Sequence, residues 1–370
     1  MTMLWGYGGI EKYMLNIFDH IDRTKYTFDV ALPGNFKQQN EDALLERSIN
    51  VIHYSIDSIG QQVNEIKRIL SDGDYDVVHI MQSYVTLETY AVFALVAIAE
   101  QKRYRYKIIC HSHGTEDKTK PIRPIKKALR SVYRTLLRKG FSKADMVAGC
   151  SREAGEFLYG KEADIKLFYN GINLERFKTH FSSREISEFK DKYGIRGGSH
   201  NFAIVARMSG DKNPMFVLDV IKCLCRYYPN LNFVWVGDGE LRSDIIRYIE
   251  ANGLSDCVQL LGTQSNVNEI LACCNYFLLP SKLEGAPLVL IEAQAAGLKC
   301  FASDRVPNVI DCGGVSFIDL DKSAEEWAAE IHTQIEREPK AKINMDLLKR
   351  FDVNETVKAL SEVYDRLVET

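Results

Sequence analysis

The sequence has no CxxC pair among its nine cysteines, no excess of either charge and no apolar run approaching a membrane span. Each absence removes a class. Cys223 with Cys225, and the adjacent Cys273 and Cys274, have the wrong spacing for a zinc site, and an odd total argues against a disulfide framework. Reduced thiols in a cytoplasmic protein are the expectation. Against 47 basic residues stand 50 acidic ones, a net charge of -3 that gives no global attraction to nucleic acid. The longest apolar run, about residues 90–99, covers roughly half of a bilayer, and the amino terminus lacks the charged and apolar regions of a signal peptide. Low-complexity tracts and short internal repeats are also missing.

What is present is an alternation. Short apolar runs bounded by turn residues alternate with longer amphipathic segments, which is the pattern of doubly wound α/β domains. With 370 residues and 46% hydrophobic content, the chain implies two cores. In a first block, strands are predicted at 28–32, 77–80, 107–110 and 146–148, with helices near 10–21, 63–70, 87–100 and 125–137. A second block predicts strands at 202–205, 232–236, 258–261, 276–279, 299–302 and 315–317. Polar residues 170–200, with Gly194, Gly197 and Gly198, mark a boundary between the blocks. At the end, Val357, Leu360, Tyr364 and Leu367 recur at helical spacing, so a closing helix needs a partner surface. The start is less settled. A Gly-rich turn at Gly6, Gly8 and Gly9 leaves only Met1 to Trp5 for a first strand that should be central in such a sheet. Either that strand is short or the natural start lies upstream.

The strongest chemical signal runs from Ser281 to Glu292, directly after the apolar strand ending near Leu279. Glu284 and Glu292 stand eight apart. If the turn at Gly285 and Ala286 opens a helix with Pro287 in its first turn, amides at Ala286, Leu288 and Val289 offer an anion site. Glu292 could then accept hydrogen bonds from two adjacent hydroxyls, such as those of a ribose. Arg207 and Lys212 lie five apart in the loop after the strand at 202–205, where two cations can reach one diphosphate and offset charge on a leaving group. In the first block, Gly8 and Gly9 open a helix and permit close backbone approach to a ligand. This is no dinucleotide fingerprint, since Glu11 stands where a third glycine belongs, and that counts against NAD. His111 and His113 are separated by one residue, but no acid or cysteine cluster completes a metal site. For His113 a hydrogen-bonding role beside a ligand and an ordinary structural role stand about even.

Taken in order and spacing, these pieces resemble the retaining glycosyltransferases of family 4, along with Asn170-Gly171-Ile172-Asn173 and Gly237-Asp238-Gly239. The segment from Cys150 to Gly160 is similar to a subset among bacterial capsule and exopolysaccharide transferases. The resemblance implies the GT-B architecture, α/β throughout. Two facing Rossmann-like domains, residues 1–172 for the acceptor and 173–352 for the nucleotide-sugar donor, would hold a donor cleft between them, with a helix at 353–370 crossing back. It also implies that Glu292 holds the ribose and that Arg207 and Lys212 hold the diphosphate. Glu284 with Gly285, Ala286, Pro287 and Leu288 would hold the donor sugar. The amides of Gly8 and Gly9 would reach the donor, and His113 would lie near the reacting sugar or acceptor. The family implies retention, a UDP-linked donor, a saccharide or lipid-linked acceptor, and neither cofactor nor metal.

Two rival readings stand beside this one. A sugar-nucleotide epimerase pairs the same two domains but would need acid and base residues on both sides of the sugar, and the first block shows no carboxylate and histidine set. A catalytically silent transferase subunit is argued against by the intact Glu284, Glu292, Arg207 and Lys212. A local feature remains: from Lys118 to Lys143 there are ten cations and no Asp or Glu. With Ile125, Leu129 and Val132 on one helical face, the stretch 118–143 reads as a helix that packs its apolar face, and as a candidate peripheral contact with anionic lipid at the inner membrane surface.

Overall fold

A computed structural model describes residues 9–34, 40–82, 87–114, 134–135, 137–178, 181–196 and 200–369. The chain divides into two compact units, Met1–Gly171 with Arg350–Thr370, and Ile172–Lys349. The first contains α1 (Gly9–His20), β1 (Asp29–Pro33), α2 (Asp42–Leu45), β2 (Asn50–Tyr54), α3 (Ile59–Asp72), β3 (Val77–Gln82), α4 (Leu87–Tyr104), β4 (Lys107–Ser112), β5 (Met146–Gly149), α5 (Arg152–Tyr159) and β6 (Ile165–Leu167). The second contains α6 (Glu175–Lys178), α7 (Ser183–Tyr193), β7 (Asn201–Val205), α8 (Pro214–Tyr227), β8 (Asn232–Val236), α9 (Arg242–Ala251), β9 (Val258–Gly262), α10 (Val267–Ala272), β10 (Tyr276–Leu279), α11 (Leu288–Ala295), β11 (Lys299–Ser303), β12 (Val315–Ile318), α12 (Ala324–Arg337) and α13 (Met345–Lys349). The closing helix α14 (Val353–Glu369) belongs to the first unit and packs on α1 and β3.

In the second unit all six strands form one parallel sheet in the order β12-β11-β10-β7-β8-β9. Helices cover both faces of such a sheet, so its central strands read as unbroken apolar runs. Every residue of β8 and of β10 is buried. Helix starts follow local chemistry: Pro214 opens α8, where its missing N–H costs nothing, after Asn213 turns with φ of 57°. Within the stretch expected to be a mere boundary, α7 forms on a capping box. The Ser182 hydroxyl accepts from the Glu185 amide while the Glu185 carboxylate accepts from the Ser182 amide, and Gly194 ends the helix in the left-handed region.

The first unit holds two parallel pieces, β1-β2 and β3-β4-β5-β6. Its closing helix buries Val357, Leu360, Val363, Tyr364 and Leu367 against α1, with the Tyr364 hydroxyl 2.8 Å from His79 Nδ1. The strand expected at Met1 to Trp5, the turn at Gly8 and residues 118–133 and 136 of the basic stretch 118–143 lie outside the described residues. Four of its cations are described: Lys139 and Lys143 are exposed, while Arg134 and Arg138 meet α5. The Arg138 guanidinium donates to the carbonyls of Glu156, Phe157 and Leu158, and Arg134 lies 5.1 Å from the centre of the Phe157 ring. Among the described residues no helix is long and apolar enough to cross a membrane.

Candidate donor site

In the second unit, β7 leads outward to β8 and β9 while its other neighbour β10 leads to β11 and β12. The winding direction reverses between β7 and β10, and open parallel sheets bind ligands beyond the carboxyl ends of strands at such a reversal. The loops that leave these two strands carry Arg207 with Lys212, and Glu284 with Gly285, Ala286, Pro287 and Leu288.

Both loops are fixed by their own backbone. The Trp235 indole N–H donates to the Ala206 carbonyl at 3.0 Å, and the Met208 amide donates to the Asp238 carbonyl at 2.9 Å. This close approach is possible because Gly237, at φ 131°, has no side chain; a Cβ there would stand 2.2 Å from the Ala206 carbonyl oxygen. The Lys282 amide donates to the Asp211 carbonyl at 2.8 Å, tying one loop to the other, and the Ser303 hydroxyl donates to the Ser281 carbonyl at 2.5 Å.

Side chains complete the join. Lys212 Nζ lies 2.8 Å from Glu284 Oε1 and 3.3 Å from Asp211 Oδ2. The Lys212 and Glu284 side chains are only 17% and 9% exposed, so this ion pair is screened far less than a surface pair. Burial pushes the Asp211 carboxyl upward, but the Ser209 hydroxyl, which donates to it at 2.5 Å, and the Lys212 ammonium outweigh that and hold it below its ordinary value. Asp211 is therefore ionised at neutral pH, and the loop holds a cation between two carboxylates. Arg207 is exposed in the same loop. A diphosphate brought to this edge would meet one free-standing and one preorganised cation.

Helix α11 begins at Leu288, with Pro287 at its N-cap rather than inside the first turn. Its extended backbone there, φ -70° and ψ 100°, lets the chain leave Glu284 and Gly285 before the helix starts. Glu292 follows one turn later and is 1% exposed. Gln294 anchors the far side of this helix: its amide donates to the carbonyls of Leu290 and Ile310, and its oxygen accepts from the Cys312 amide at 2.7 Å. Asp211, Ser209, Gln294 and Trp235 were not singled out in the sequence. Only Gly237 and Gly239 carried a signal, a pair of glycines just past a strand.

The first-unit candidates are Gly9 and His113. Gly9 starts α1, is exposed, and has open space where a Cβ would stand. His113 follows β4 and is buried in a cluster of aromatic rings. Its ring centre is 4.0 Å from His111 and 5.0 Å from Tyr13, while His79 stacks on His111 at 5.4 Å. Nδ1 lies 3.2 Å from Asn170 Oδ1, and Nε2 lies 3.2 Å from Met81 Sδ. Burial drives the His113 ring down to about 3 and lowers His79 and His111 well below their ordinary value. All three are neutral near pH 7, so His113 can exchange hydrogen bonds there but not shuttle protons.

Known proteins match both units. A model described as "Glycosyltransferase Family 4" matches residues 7–176, and one described as "Glycosyl transferases group 1" matches residues 185–343. The chain is 28% identical over 373 residues to the putative glycosyltransferase EpsF of Bacillus subtilis (strain 168), covering 97% of this chain and 93% of the relative. It is 24% identical over 364 residues to the capsular polysaccharide biosynthesis glycosyltransferase CapH of Staphylococcus aureus, covering 96% and 95%. Its fold is similar to that of Anabaena HepE in complex with UDP, with a TM-score of 0.76 at 19% identity, covering 99% of this chain and all of that one (100%).

Proposed function

We propose, from the premise that this chain belongs to the family 4-like glycosyltransferases of GT-B architecture, that it moves a hexosyl group from a UDP-linked donor to a saccharide or lipid-linked acceptor with retention, in capsule or exopolysaccharide synthesis. The capsular role named for CapH and the UDP held by HepE support the pathway and the nucleotide. The observation that carries the donor-site reading is the half-buried Lys212–Glu284 ion pair, which joins two loops at the reversal point of the sheet, the second of them leading into the helix of the buried Glu292.

In this reading Glu292 accepts from the ribose hydroxyls, Arg207 and Lys212 face the diphosphate, and Glu284 with the turn from Gly285 to Leu288 holds the sugar. The bond from the anomeric carbon to the diphosphate oxygen breaks, and its electron pair leaves with the UDP. The two cations offset the charge that grows there, a stabilisation largest in the transition state. The carboxylates of the donor loops, Glu284 and Asp211, are both paired with Lys212, and neither is assigned as a nucleophile on the far face of the sugar for a double displacement. The acceptor oxygen therefore attacks from the face the UDP leaves, and its proton passes to the departing phosphate oxygen. Gly8, Gly9 and His113 are assigned to the donor sugar and the acceptor, as the resemblance implies, with His113 acting as a neutral hydrogen-bond partner.

No cofactor or metal is assigned, so a chelator should leave activity unchanged. A panel of nucleotide sugars read by thermal shift, followed by release of UDP in the absence of acceptor, tests the reading, since a ligand that binds only the folded state raises its stability. A UDP-sugar that both stabilises the protein and slowly loses its sugar is the expected result. Return of an isomerised nucleotide sugar would make the protein an epimerase, and stabilisation without turnover would make it a silent subunit.

A peripheral lipid contact through 118–143 is part of the proposal. Since Arg134 and Arg138 are engaged with α5, charge reversal at Lys126, Lys127 and Arg130 is the fitting variant. It should abolish sedimentation with anionic liposomes at low salt; no sedimentation of the parent would remove the contact.

A further inference from the structure

All nine cysteines are free, and seven of them are buried. Cys225 and Cys257 are the two that reach solvent, and they are also two whose sulfurs meet, at 3.5 Å. Cys225 lies in the last turn of α8, and Cys257 stands immediately ahead of Val258, where β9 begins. The pair therefore sits at the end of the sheet where its strands begin, opposite the donor loops, which leave the carboxyl ends of β7 and β10.

Its backbone is anchored. The Cys257 amide donates to the Leu254 carbonyl at 3.0 Å, and the Cys257 carbonyl accepts from the Phe233 amide at 2.7 Å, which ties the residue to its own turn and to β8. That turn is tied to α8 by Lys222, whose ammonium donates to Asn252 Oδ1 at 2.8 Å. Two half-exposed sulfurs are thus presented to each other by fixed elements.

Their chemistry differs from that of the buried thiols. Burial pushes Cys110 and Cys150 up to about 12 and Cys273 up to about 11, and raises Cys223, Cys274 and Cys300 as well. A thiol so raised carries little of the thiolate that reacts. Cys257 goes the other way: the Cys225 S–H donates to its sulfur, and this bond, with the positive charge of Arg196, holds Cys257 below its ordinary value against the effect of burial.

We propose that Cys225 and Cys257 form a thiol modification site, a pair that hydrogen peroxide converts reversibly into a disulfide within the second unit. The Cys257 thiolate attacks one peroxide oxygen, the O–O bond breaks, and the other oxygen leaves as hydroxide, which takes up the proton Cys257 gave and becomes water. Cys257 is then a sulfenic acid. The Cys225 sulfur attacks the Cys257 sulfur, the S–O bond breaks, and the hydroxide released takes the Cys225 proton as a second water. Two thiols lose two electrons and two protons, and one peroxide becomes two waters. The sulfurs must close from 3.5 Å to about 2 Å, which is within reach of side-chain rotation. The bridge encloses a loop of about 30 residues that contains β8 and α9, so it restricts the unfolded chain and stabilises the second unit. It also keeps Cys257 at a reversible level, because a sulfenic acid with a thiol beside it condenses before a second oxidation. No donor-loop residue takes part, so the site is independent of the sugar transferred.

The test treats the full chain with hydrogen peroxide, blocks the remaining thiols by alkylation and maps the peptides by mass. A peptide pair joined through Cys225 and Cys257, lighter than the two thiols by about 2 Da and released by dithiothreitol, should form at least about tenfold faster than any of the seven buried cysteines is oxidised. Oxidation should raise thermal unfolding of the second unit by about 5 °C in the parent and leave Cys225→Ser unchanged. In that variant Cys257 should pass instead to the sulfinic or sulfonic acid, which dithiothreitol does not reverse. In Cys257→Ser, Cys225 should stay open to alkylation. Should a serine variant fail to fold, the parent's peptide map decides. Oxidation spread over the buried cysteines, a bridge between two chains, or two sulfurs still open to alkylation after a dose that fully oxidises free cysteine would overturn the proposal.

Discussion

Both units carry parallel sheets with helices between the strands, and their described residues are braced differently. In the second, six strands pair without interruption and the loops at the reversal point are cross-braced by Trp235, Gly237 and the Lys282 amide. In the first, the strands among the described residues fall into two parallel pieces, β1-β2 and β3-β4-β5-β6, and a cavity of about 570 Å³ is lined by β1 and β3. A continuous parallel sheet can hold a charged site in fixed geometry because every neighbouring strand is already paired. The candidate donor residues sit on loops of the second unit that are braced in this way.

Matched truncations should show the largest difference. Phe277 lies fully buried in β10, and its replacement by Ala should cost about 3–5 kcal/mol. Phe18 of α1 is buried as well but lines the cavity of the first unit, so Phe18→Ala should cost less by at least about 1 kcal/mol, because a side chain in a cavity wall makes fewer dispersion contacts with its described neighbours. Chemical denaturation of each variant measures both, and equal losses would break the contrast.

Acid separates the units next. Burial holds His79, His111 and His113 below their unfolded values, so the unfolded first unit binds protons that the folded one does not. Stability is then complete above an unfolded pKa of about 6.5 and is lost as pH falls below it, by up to about 1.4 kcal/mol per pH unit for each such ring. For His113 the loss continues down to a folded value of about 3. In the second unit burial also lowers the half-buried His200, a single ring against three, while Asp211 is lowered and its contribution persists until pH falls below the usual carboxylate range. Thermal unfolding at pH 5 should lower the first unit's transition and leave the second's nearly in place. A shift of both together would contradict this.

Smaller effects sharpen the site itself. Gly237→Ala forces a side chain onto the Ala206 carbonyl at a left-handed φ, which should cost about 1–3 kcal/mol and displace the Arg207 loop. Lys212→Ala leaves Glu284 and Asp211 without their shared cation, for about 1–3 kcal/mol of stability. Turnover should fall more than nucleotide-sugar affinity does, since the charge it meets grows during bond breaking. Steady-state kinetics on the two variants checks this, and a pure affinity loss would leave Lys212 a binding residue only.

The same contrast governs what could be read from the sequence. Strands β8 and β10 were legible to the residue because each is an unbroken apolar run in a fully covered sheet. Strand β2 was missed because Asn50 and His53 interrupt its apolar pattern, and β6 because three residues carry too little pattern to recognise. Helix α7 was hidden in a charged stretch with no buried residue, where only its capping box at Ser182 and Glu185 gave a cue. In the site, Glu284, Glu292, Arg207 and Lys212 could be named because charge after a strand end is conspicuous. Their bracing could not: Gln294 sits in a helix like any other glutamine until the fold brings Cys312 to it.

The donor site is the central claim, and nucleotide affinity at Glu292 tests it most directly. Calorimetric titration of UDP into the parent, Glu292→Gln and Glu292→Ala should show the Ala variant weakened by about 1.5–3 kcal/mol, which is tenfold or more, because a buried charged acceptor for the ribose is lost. The Gln variant, which keeps one acceptor oxygen, should fall between. An Ala variant that binds UDP as tightly as the parent would contradict the assignment of this site.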